Sequence, residues 1–504
     1  MFAIAKQLLE SHSCGFCYGC YKYFCFFIHK TIVGNGLQLA TVKWHRCLLA
    51  TTLIISLFHF YNFICIFIPK ECSTYFALFI CHIAFLFNQH VITCKIPGNT
   101  QEYILSDAVA YIAERSDPAK IAIRTGRLDI ITKAQESDPA LRIHYAAKHA
   151  SIANAWKKWQ GEALGIDRRG TVAAKFDYET QFGLWSVGRP EYAGVVMGLR
   201  AEYDRIMDAY FAYEITRETL STLPAAYTPE ERAEECFARR KFAEQALWRH
   251  AFREYGRCPK VYRTPSYAEG MARYKSPEAY ADALFEAVWE GSDSVAMQPA
   301  VRLREETKRM LDHISWMLGT KSLRNLNSKI LNELYTTYIK GLREWDRERA
   351  FYPDANLTLR VAYGSVAGYE YADGEYHKPQ TTLDGIIAKD NPEIYDYDIP
   401  QSLRDLYASK NYGRWGTVID GRRTVPVCFL ATNHTTGGNS GSPILNARGE
   451  LVGVNFDRTW RSTMSDIAFD PAICRNIAVD IRYVLFVVDR VGGAGYLLKE
   501  MTLK

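Results

Sequence analysis

A short polar loop carries the residues whose types and order are best suited to chemistry. Gly438-Asn439-Ser440-Gly441-Ser442-Pro443 lies between two apolar runs that have the composition of strands. Flanking glycines let the backbone turn tightly and let a substrate carbonyl approach. The Ser440 hydroxyl then has the setting of a nucleophile, and the backbone N–H groups of Gly438 and Ser440 are placed to stabilise an oxyanion. The same six residues also fit a plain hairpin turn, so the loop alone leaves both interpretations open.

The sequence around this loop resembles a known family. Over roughly residues 97–504 the chain is similar to the S46 family of dipeptidyl peptidases, whereas the first 95 or so residues lack the similarity. The segments that carry the resemblance are Tyr145–Trp159, Thr432–Pro443, Gly449–Arg458, Met464–Asp466 and Cys474–Phe486.

The resemblance implies a serine-type dipeptidyl peptidase in which Ser440 attacks the peptide carbonyl. It implies that Asp457 pairs with the free α-ammonium group of the substrate, and that Arg458 selects Asp or Glu as the second residue. A guanidinium matches a carboxylate in a bidentate fork, and its desolvation disfavours neutral side chains. Asn154 matches a family position that helps to hold the substrate's N-terminus. The alternatives are a surface ion pair for Asp457 and Arg458, and an ordinary polar helix residue for Asn154.

A serine nucleophile needs a base, which in the full mechanism is a histidine oriented by an aspartate. In the S46 family both come from an N-terminal barrel, with the histidine in a Thr-Asn-His-His-Cys-like motif that this sequence does not contain. His434 lies on the strand that leads into the loop and is expected to be structural. The chain as written is therefore predicted to be inactive or nearly so. The histidines that lack the motif are His12, His29, His45, His59, His82 and His90.

The elements that must position these residues follow two patterns. Residues from about 101 to 350 have the periodicity of amphipathic helices, with capped starts at Thr228-Pro229 and Ser276-Pro277. After about residue 357, strand-forming runs predominate, and Ala447-Arg448-Gly449 is a plausible hairpin turn. The predicted strand-forming runs are Leu357–Tyr363, Thr424–Leu430 and Ile444–Phe456, followed by the apolar run Asn476–Val488.

These patterns, with the resemblance, predict an α+β fold. Residues 357–504 are expected to form a chymotrypsin-like β-barrel, the C-terminal barrel of a double-barrel peptidase. Residues 96–356 are expected to form a large inserted α-helical cap domain, a role that rests on the S46 resemblance. A cap of this kind closes the cleft beyond the first residues of the substrate, so that geometry sets the length of the product.

Residues 1–95 form an atypical apolar segment that is rich in cysteine and phenylalanine and nearly free of acidic residues. Three interpretations compete. Cys14, Cys17 and Cys20 have the spacing of metal ligands, but no Cys/His pair completes a convincing zinc pattern. Leu48–Ile68 is long and apolar enough to span a bilayer, so membrane contact through residues 48–87 is the second interpretation. The favoured interpretation is a mistranslated or frame-shifted upstream region, which leaves the true start open.

The composition of the chain argues against several classes of ligand and against a disulfide-based fold. A formal net charge of +5 is small for 504 residues, so nucleic-acid binding is not expected. No metal or organic cofactor is predicted, and the later cysteines predict no disulfide framework. They are Cys236, Cys258, Cys428 and Cys474.

The S46 resemblance also implies partners and a location: peptides with free N-termini, a homodimer, and a bacterial periplasmic or cell-surface protein. Two other functions stay open. One is a truncated, non-catalytic homologue that binds peptides without cleaving them. The other is an HtrA-like serine endopeptidase, against which the long helical middle and Asn455–Arg458 argue.

Overall fold

Helices and antiparallel strands make up the part of the chain that the computed structural model describes, residues 90–291, 294–318 and 329–504. Cys14, Cys17, Cys20 and the apolar run 48–87 lie outside these residues, so the metal and membrane interpretations of that segment stay predictions. No helix in the described ranges is both long enough and apolar enough to cross a bilayer.

The helical region runs to Trp345, as the periodicity predicts, and three short helices follow it. The helices are α1 Ser106–Ala110, α2 Asp117–Ser137, α3 Pro139–Arg168, α4 Thr171–Ser186, α5 Val195–Glu218, α6 Pro229–Ala233, α7 Lys241–Tyr255, α8 Pro265–Tyr274, α9 Pro277–Glu290, α10 Ser294–Met317, α11 Lys329–Trp345, α12 Leu383–Ile387, α13 Gln401–Ser409 and α14 Ile481–Phe486. A π-helical stretch, Tyr111–Ser116, joins α1 to α2.

Both predicted helix starts are confirmed. Thr228 and Glu231 form a capping box at α6, and the Ser276 hydroxyl accepts a hydrogen bond from the N–H of Ala279 at α9. Such caps satisfy backbone donors that have no partner within the helix. Helix α6 is nevertheless short, because the backbone of Glu234 is extended (φ −61°, ψ 134°) and ends the helix there.

Apolar packing holds the helices together. Among the described residues, an extensive core joins α1, α2, α4, α5 and α7–α11 and includes the fully buried Phe182, Phe252 and Phe285. Aromatic side chains dominate the energetics of such a core because each removes a large apolar area from water. Helix α3 also packs against the 3₁₀ segment Trp460–Asp466, where Gly161 permits close approach. A Cβ there would lie 2.6 Å from the carbonyl oxygen of Trp460.

In the described part of the chain, seven strands form one antiparallel sheet that curls into half a barrel, in the order β2-β1-β9-β10-β11-β8-β5. Two further strand pairs, β3–β4 and β6–β7, form hairpins. The strands are β1 His90–Lys95, β2 Arg360–Ser365, β3 Tyr369–Ala372, β4 Glu375–His377, β5 Gln380–Thr382, β6 Thr417–Ile419, β7 Arg422–Thr424, β8 Pro426–Ala431, β9 Pro443–Leu445, β10 Leu451–Arg458 and β11 Asn476–Asp480.

The curl of the sheet brings strands from its opposite sides together. The N–H of Ala367, just after β2, donates to the carbonyl of Leu430 in β8 at 3.1 Å. The N–H of Thr432 donates in return to the carbonyl of Ser365 at 3.0 Å. Because β2 and β8 are separated by four strands along the sheet, these bonds require strong curvature.

The structure refines several predicted boundaries. Strand β1 pairs with β2 and β9, although the composition break near residue 95 had set its residues apart from the barrel. Strand β2 begins at Arg360 and not at Leu357, whose φ of 63° is incompatible with a strand. The predicted hairpin turn before β10 is confirmed, with Gly449 at φ 74°. The run Asn476–Val488 divides into β11 and α14.

Candidate active site

The loop that carries Ser440 connects β8 to β9 and is fastened to β10. The N–H of Gly441 donates to the carbonyl of Asn455 at 2.8 Å, and the N–H of Asn455 donates to the carbonyl of Ser442 at the same distance. The buried Asn439 orders the loop from within, because its Oδ1 accepts from the N–H of Thr436 at 3.0 Å. Ser440 itself is exposed at the surface of this fixed turn.

Gly438 has the backbone geometry that only glycine adopts easily. Its φ is 101°, and a Cβ would lie 3.0 Å from both the nitrogen of Gly98 and the carbonyl oxygen of Ile96. Within the described residues, the N–H groups of Gly438 and Ser440 donate to no acceptor. Both N–H groups are thus without an acceptor in this part of the chain, and their binding of an oxyanion stays a prediction.

Lys95 of β1 supports the loop from the other side, because its Nζ donates to the carbonyl oxygen of Ser440. This residue was missed at the level of sequence, since it lies 345 positions from Ser440 and inside the segment assigned to the N-terminal part. An ammonium on a backbone carbonyl is a charge-assisted hydrogen bond and fixes the turn more firmly than a neutral donor does.

The end of β10 places Asp457 and Arg458 beside the loop. Its register against β11 shifts between Asn455 and Asp457, so Phe456 is left out of the ladder. Such a bulge re-aims the side chains that follow it. The freed carbonyl oxygen of Phe456 accepts a hydrogen bond from Ser440 Oγ at 3.2 Å. The nucleophile candidate thus contacts the residue directly before the predicted specificity pair.

Asp457 and Arg458 differ sharply in environment. Asp457 is exposed, and its Oδ1 accepts a hydrogen bond from the N–H of Arg458 at 2.8 Å. The side chain of Arg458 is only 10% exposed. It donates through Nη1 and Nη2 to the two carboxylate oxygens of Asp466, at 2.6 Å and 2.9 Å, and through Nη1 to Ser465 Oγ at 2.8 Å. The alternative of a surface ion pair between Asp457 and Arg458 does not match this geometry.

Asp466 is the centre of a buried charge cluster. Lys158 Nζ, from α3, lies 3.3 Å from Asp466 Oδ2 and donates to Glu162 Oε2 at 2.7 Å. Burial alone raises the pKa of a carboxyl group, but Arg458 and Lys158 outweigh it and hold the pKa of Asp466 well below its usual range. Asp466 is therefore ionised at neutral pH.

Asn154 lies exposed on α3, one helical turn before Lys158. Residues four apart share a helix face, so Asn154 is on the side of α3 that carries Lys158 toward Asp466. Among the described residues, no hydrogen bond joins Asn154 to Ser440, Asp457 or Arg458. The structure thus brings four of the five predicted site residues together and places Asn154 on the neighbouring helix.

His434 has a structural setting, as expected. Its ring stacks on Phe469 with centroids 4.3 Å apart, and its Nε2 lies 3.0 Å from the carbonyl oxygen of Ser465. Burial lowers the pKa of His434. In the described part of the chain, the hydrogen bond of Ser440 Oγ goes to Phe456, and no histidine contacts it.

Within the residues that the structure describes, one group of potential metal ligands lies away from this site. Suitable atoms of His144, Glu234 and Cys236 lie within 4.8 Å of one another. Nη1 of Arg240 lies 2.6 Å from His144 Nε2 and 3.2 Å from Glu234 Oε2. A guanidinium in that position is a competing cation, so the residues fit a hydrogen-bonded cluster better than a metal site.

Comparison with known proteins gives consistent matches. The model of the peptidase S46 family matches residues 87–242 and 231–503. An Asp/Glu-specific dipeptidyl-peptidase from Capnocytophaga gingivalis is 36% identical over 459 residues, which cover 82% of this chain and 63% of that protein. One from Flavobacterium psychrophilum is 37% identical over 447 residues, which cover 81% and 62%. The chain therefore spans less than two thirds of the length of these relatives.

Solved structures agree in fold. The crystal structure of Porphyromonas endodontalis DPP11 in complex with the dipeptide Arg-Glu matches with a TM-score of 0.69 and 28% identity. The match covers 82% of this chain and 65% of that one. The arrangement of helices and curled sheet described above is thus shared with a protein of known structure.

Proposed function

The chain belongs to the peptidase S46 family, and from that premise we propose that it is a serine-type dipeptidyl peptidase with a preference for Asp or Glu as the second residue. The hydrogen bond between Ser440 Oγ and the carbonyl of Phe456 carries the proposal, because it joins the nucleophile to the start of the specificity pair. The names of the relatives, Asp/Glu-specific dipeptidyl-peptidases, support the same substrate class.

The curled sheet in this proposal is the second barrel of a chymotrypsin-like pair. The bonds between the ends of β2 and β8 support it, because they bring the sheet toward closure. The helical region is the cap that limits how far a peptide extends past the cleft. Its support is the packing of α3 on the segment Trp460–Asp466, directly beyond Arg458.

The proposed chemistry is acyl transfer. Ser440 Oγ attacks the carbonyl carbon, its proton passes to a base, and the N–H groups of Gly438 and Ser440 bind the oxyanion. The C–N bond then breaks, the leaving amine takes the proton, and water releases the dipeptide from the acyl-enzyme. Within the described residues no histidine contacts Ser440, so we propose that the base is the missing element and that turnover by this chain is weak.

Binding is proposed to use the two residues at the end of β10. The exposed carboxylate of Asp457 takes the α-ammonium of the substrate, and the guanidinium of Arg458 takes the acidic side chain of the second residue. A peptide with a blocked N-terminus loses the first ion pair, and a neutral second residue leaves Arg458 without its second carboxylate.

Calorimetric titration tests this proposal without relying on turnover. The full chain with Ser440→Ala is titrated with the dipeptides Arg-Glu, Arg-Gln and N-acetyl-Arg-Glu. We expect Arg-Glu to bind ~10-fold more tightly than either other dipeptide, since a charge-assisted hydrogen bond is worth about 1.5–3 kcal/mol. Arg458→Met is expected to make the affinities for Arg-Glu and Arg-Gln equal. Arg461→Met removes a nearby arginine that pairs with Glu375 and is the matched control.

A peptide-binding homologue without catalysis is the second candidate, favoured by the lack of a histidine contact at Ser440 in the described chain. Selective binding of Arg-Glu without release of dipeptides would establish it. Equal affinity for all three dipeptides would overturn the specificity proposed for Asp457 and Arg458. An HtrA-like endopeptidase is disfavoured by the S46 match along almost the whole described chain.

Location and assembly are further parts of the proposal. The family resemblance supports a periplasmic or cell-surface protein and a homodimer. Light scattering of the purified chain tests the dimer, and fractionation of the producing cells tests the location.

A further inference from the structure

The guanidinium of Arg458 has two edges that each match a carboxylate, and one of them is occupied. Asp466 takes the edge formed by Nη1 and Nη2, at 2.6 Å and 2.9 Å. Nε of Arg458 donates to no acceptor among the described residues, so the edge formed by Nε and the second Nη2 hydrogen stays open. A guanidinium has five N–H donors in a fixed plane, which allows two carboxylates to bind at once.

The occupied edge is held rigidly. The Asp466 carboxylate is shared with Lys158, and Lys158 is held in turn by Glu162. Ser465 Oγ supplies a third acceptor for Arg458. Two cations and two anions therefore balance within the cluster, so the charge of Arg458 is compensated before any ligand arrives. Burying a guanidinium without such compensation has a large cost in desolvation free energy.

We propose that Asp466 is a positioning residue for substrate recognition: it holds the guanidinium of Arg458 in one orientation, so that the open Nε–Nη2 edge meets the carboxylate of an acidic second residue. The inference rests on the function proposed above for Arg458. A free arginine side chain loses rotamer freedom when it binds a ligand, and holding it beforehand removes that cost. The sequence distance of eight residues between Arg458 and Asp466 hid this pair from the motif-based prediction.

The backbone around Asp466 does not depend on the carboxylate alone. The N–H of Ile467 donates to the carbonyl of Met464 at 2.9 Å, and the N–H of Gln101 donates to the carbonyl of Asp466 at 2.6 Å. An Asn side chain has the same shape and can still accept one hydrogen bond from Arg458. Asp466→Asn therefore removes the charge and one acceptor while it leaves the segment its backbone hydrogen bonds.

The test measures the ratio of the affinities for Arg-Glu and Arg-Gln, in the full chain with Ser440→Ala. Asp466→Asn is expected to lower this ratio ~10-fold, with the affinity for Arg-Gln changed less than about 2-fold. Ser465→Ala removes one of three acceptors and is expected to lower the ratio ~3-fold. Circular dichroism and the thermal midpoint show that each variant is folded. Should Asp466→Asn fail to fold, Ser465→Ala decides the question.

A general loss of structure would lower the affinities for both dipeptides equally, and this result would overturn the positioning role. An unchanged ratio overturns it as well. A raised ratio would show that Asp466 competes with the substrate for Arg458, which is the opposite role. The proposed function fails separately: in that case the unmodified chain does not prefer Arg-Glu, or Arg458→Met keeps the preference. If Arg458→Met abolishes it while Asp466→Asn and Ser465→Ala keep it, only the present inference is overturned.

Discussion

Lys158 Nζ lies 3.3 Å from Asp466 Oδ2, so a lysine of helix α3 contacts the carboxylate that holds Arg458 at the end of β10. This ion pair joins the helical region directly to the carboxylate that pairs with Arg458. The same helix approaches the segment Trp460–Asp466 closely at Gly161, where a Cβ would lie 2.6 Å from the carbonyl oxygen of Trp460. The helical region thus contributes charge to the candidate site.

Removing this contact is expected to loosen α3 from the sheet. Lys158→Met leaves Asp466 with Arg458 but deprives Glu162 of its partner. The Lys158 side chain is 35% exposed, so solvent screening reduces the cost to ~1 kcal/mol of unfolding free energy, well below that of a fully buried pair. Urea unfolding checks the value, and the neighbouring exposed Lys157→Met is the control, with less than about 0.5 kcal/mol expected. Equal losses in both variants would contradict the role of the ion pair.

The loop that carries Ser440 requires glycine at position 438 and not at 437. Gly438→Ala places a Cβ at φ 101° and 3.0 Å from two backbone atoms of the segment Ile96–Gly98, neither of which moves easily. We expect a loss of about 1–3 kcal/mol in unfolding free energy. We also expect weaker binding of Arg-Glu, because the loop shifts. A Cβ at position 437 would have no atom within 4 Å, so Gly437→Ala is the matched control. If the two variants unfold at the same urea concentration, the strain at 438 is not real.

The local parts of the site could be predicted from sequence, and the parts assembled across the chain could not. Ser440 and Gly438 lie in one loop, and Asp457 and Arg458 end the second strand after it, so local sequence segments are enough to find them. Asp466 was within a recognised segment, but nothing in the sequence indicates that its carboxylate pairs with Arg458. Lys158 lies 308 positions from Asp466, and only packing of α3 on the sheet brings the two together.

The fold shows the same division. Helix starts at Thr228 and Ser276 depend on hydrogen bonds within four residues, and both were predicted. Strand β1 depends on pairing with β2, whose residues are about 270 positions away, and the local composition of that region indicated a boundary instead. Pairing partners at that distance leave no periodic signal in either strand.

Stability is expected to fall as the pH drops below neutral, in part through His434. Burial lowers the pKa of His434 in the folded chain, so the unfolded chain binds its proton first, near a pKa of about 6.5. The contribution is complete above that pH and is lost as the pH falls from it toward the lower folded pKa. The slope is at most ~1.4 kcal/mol per pH unit for one histidine.

Urea unfolding at pH 7.5 and pH 5.5 measures this effect. His434→Gln keeps a donor for the carbonyl of Ser465 but cannot take up the proton, so the difference in stability between the two pH values should shrink. Burial also lowers the pKa values of His144 and His250, so these two residues account for part of the pH dependence of stability that remains. A full-sized difference in His434→Gln would show that His434 does not titrate as the structure indicates.

Dipeptide release by the chain is expected to be very slow, and Ser440→Ala to change it little. In the described residues the hydroxyl of Ser440 donates to the carbonyl of Phe456, and a carbonyl oxygen cannot accept the proton as a base. Loss of the base in serine peptidases lowers the rate by ~10⁶-fold, which leaves only oxyanion stabilisation and binding. Release of Arg-Glu from a fluorogenic peptide amide, followed over hours, measures this rate. Rapid release that Ser440→Ala abolishes would show that a base reaches Ser440 after all. In that event Lys95→Met is the next variant to test, because Lys95 Nζ already contacts the carbonyl oxygen of the nucleophile residue.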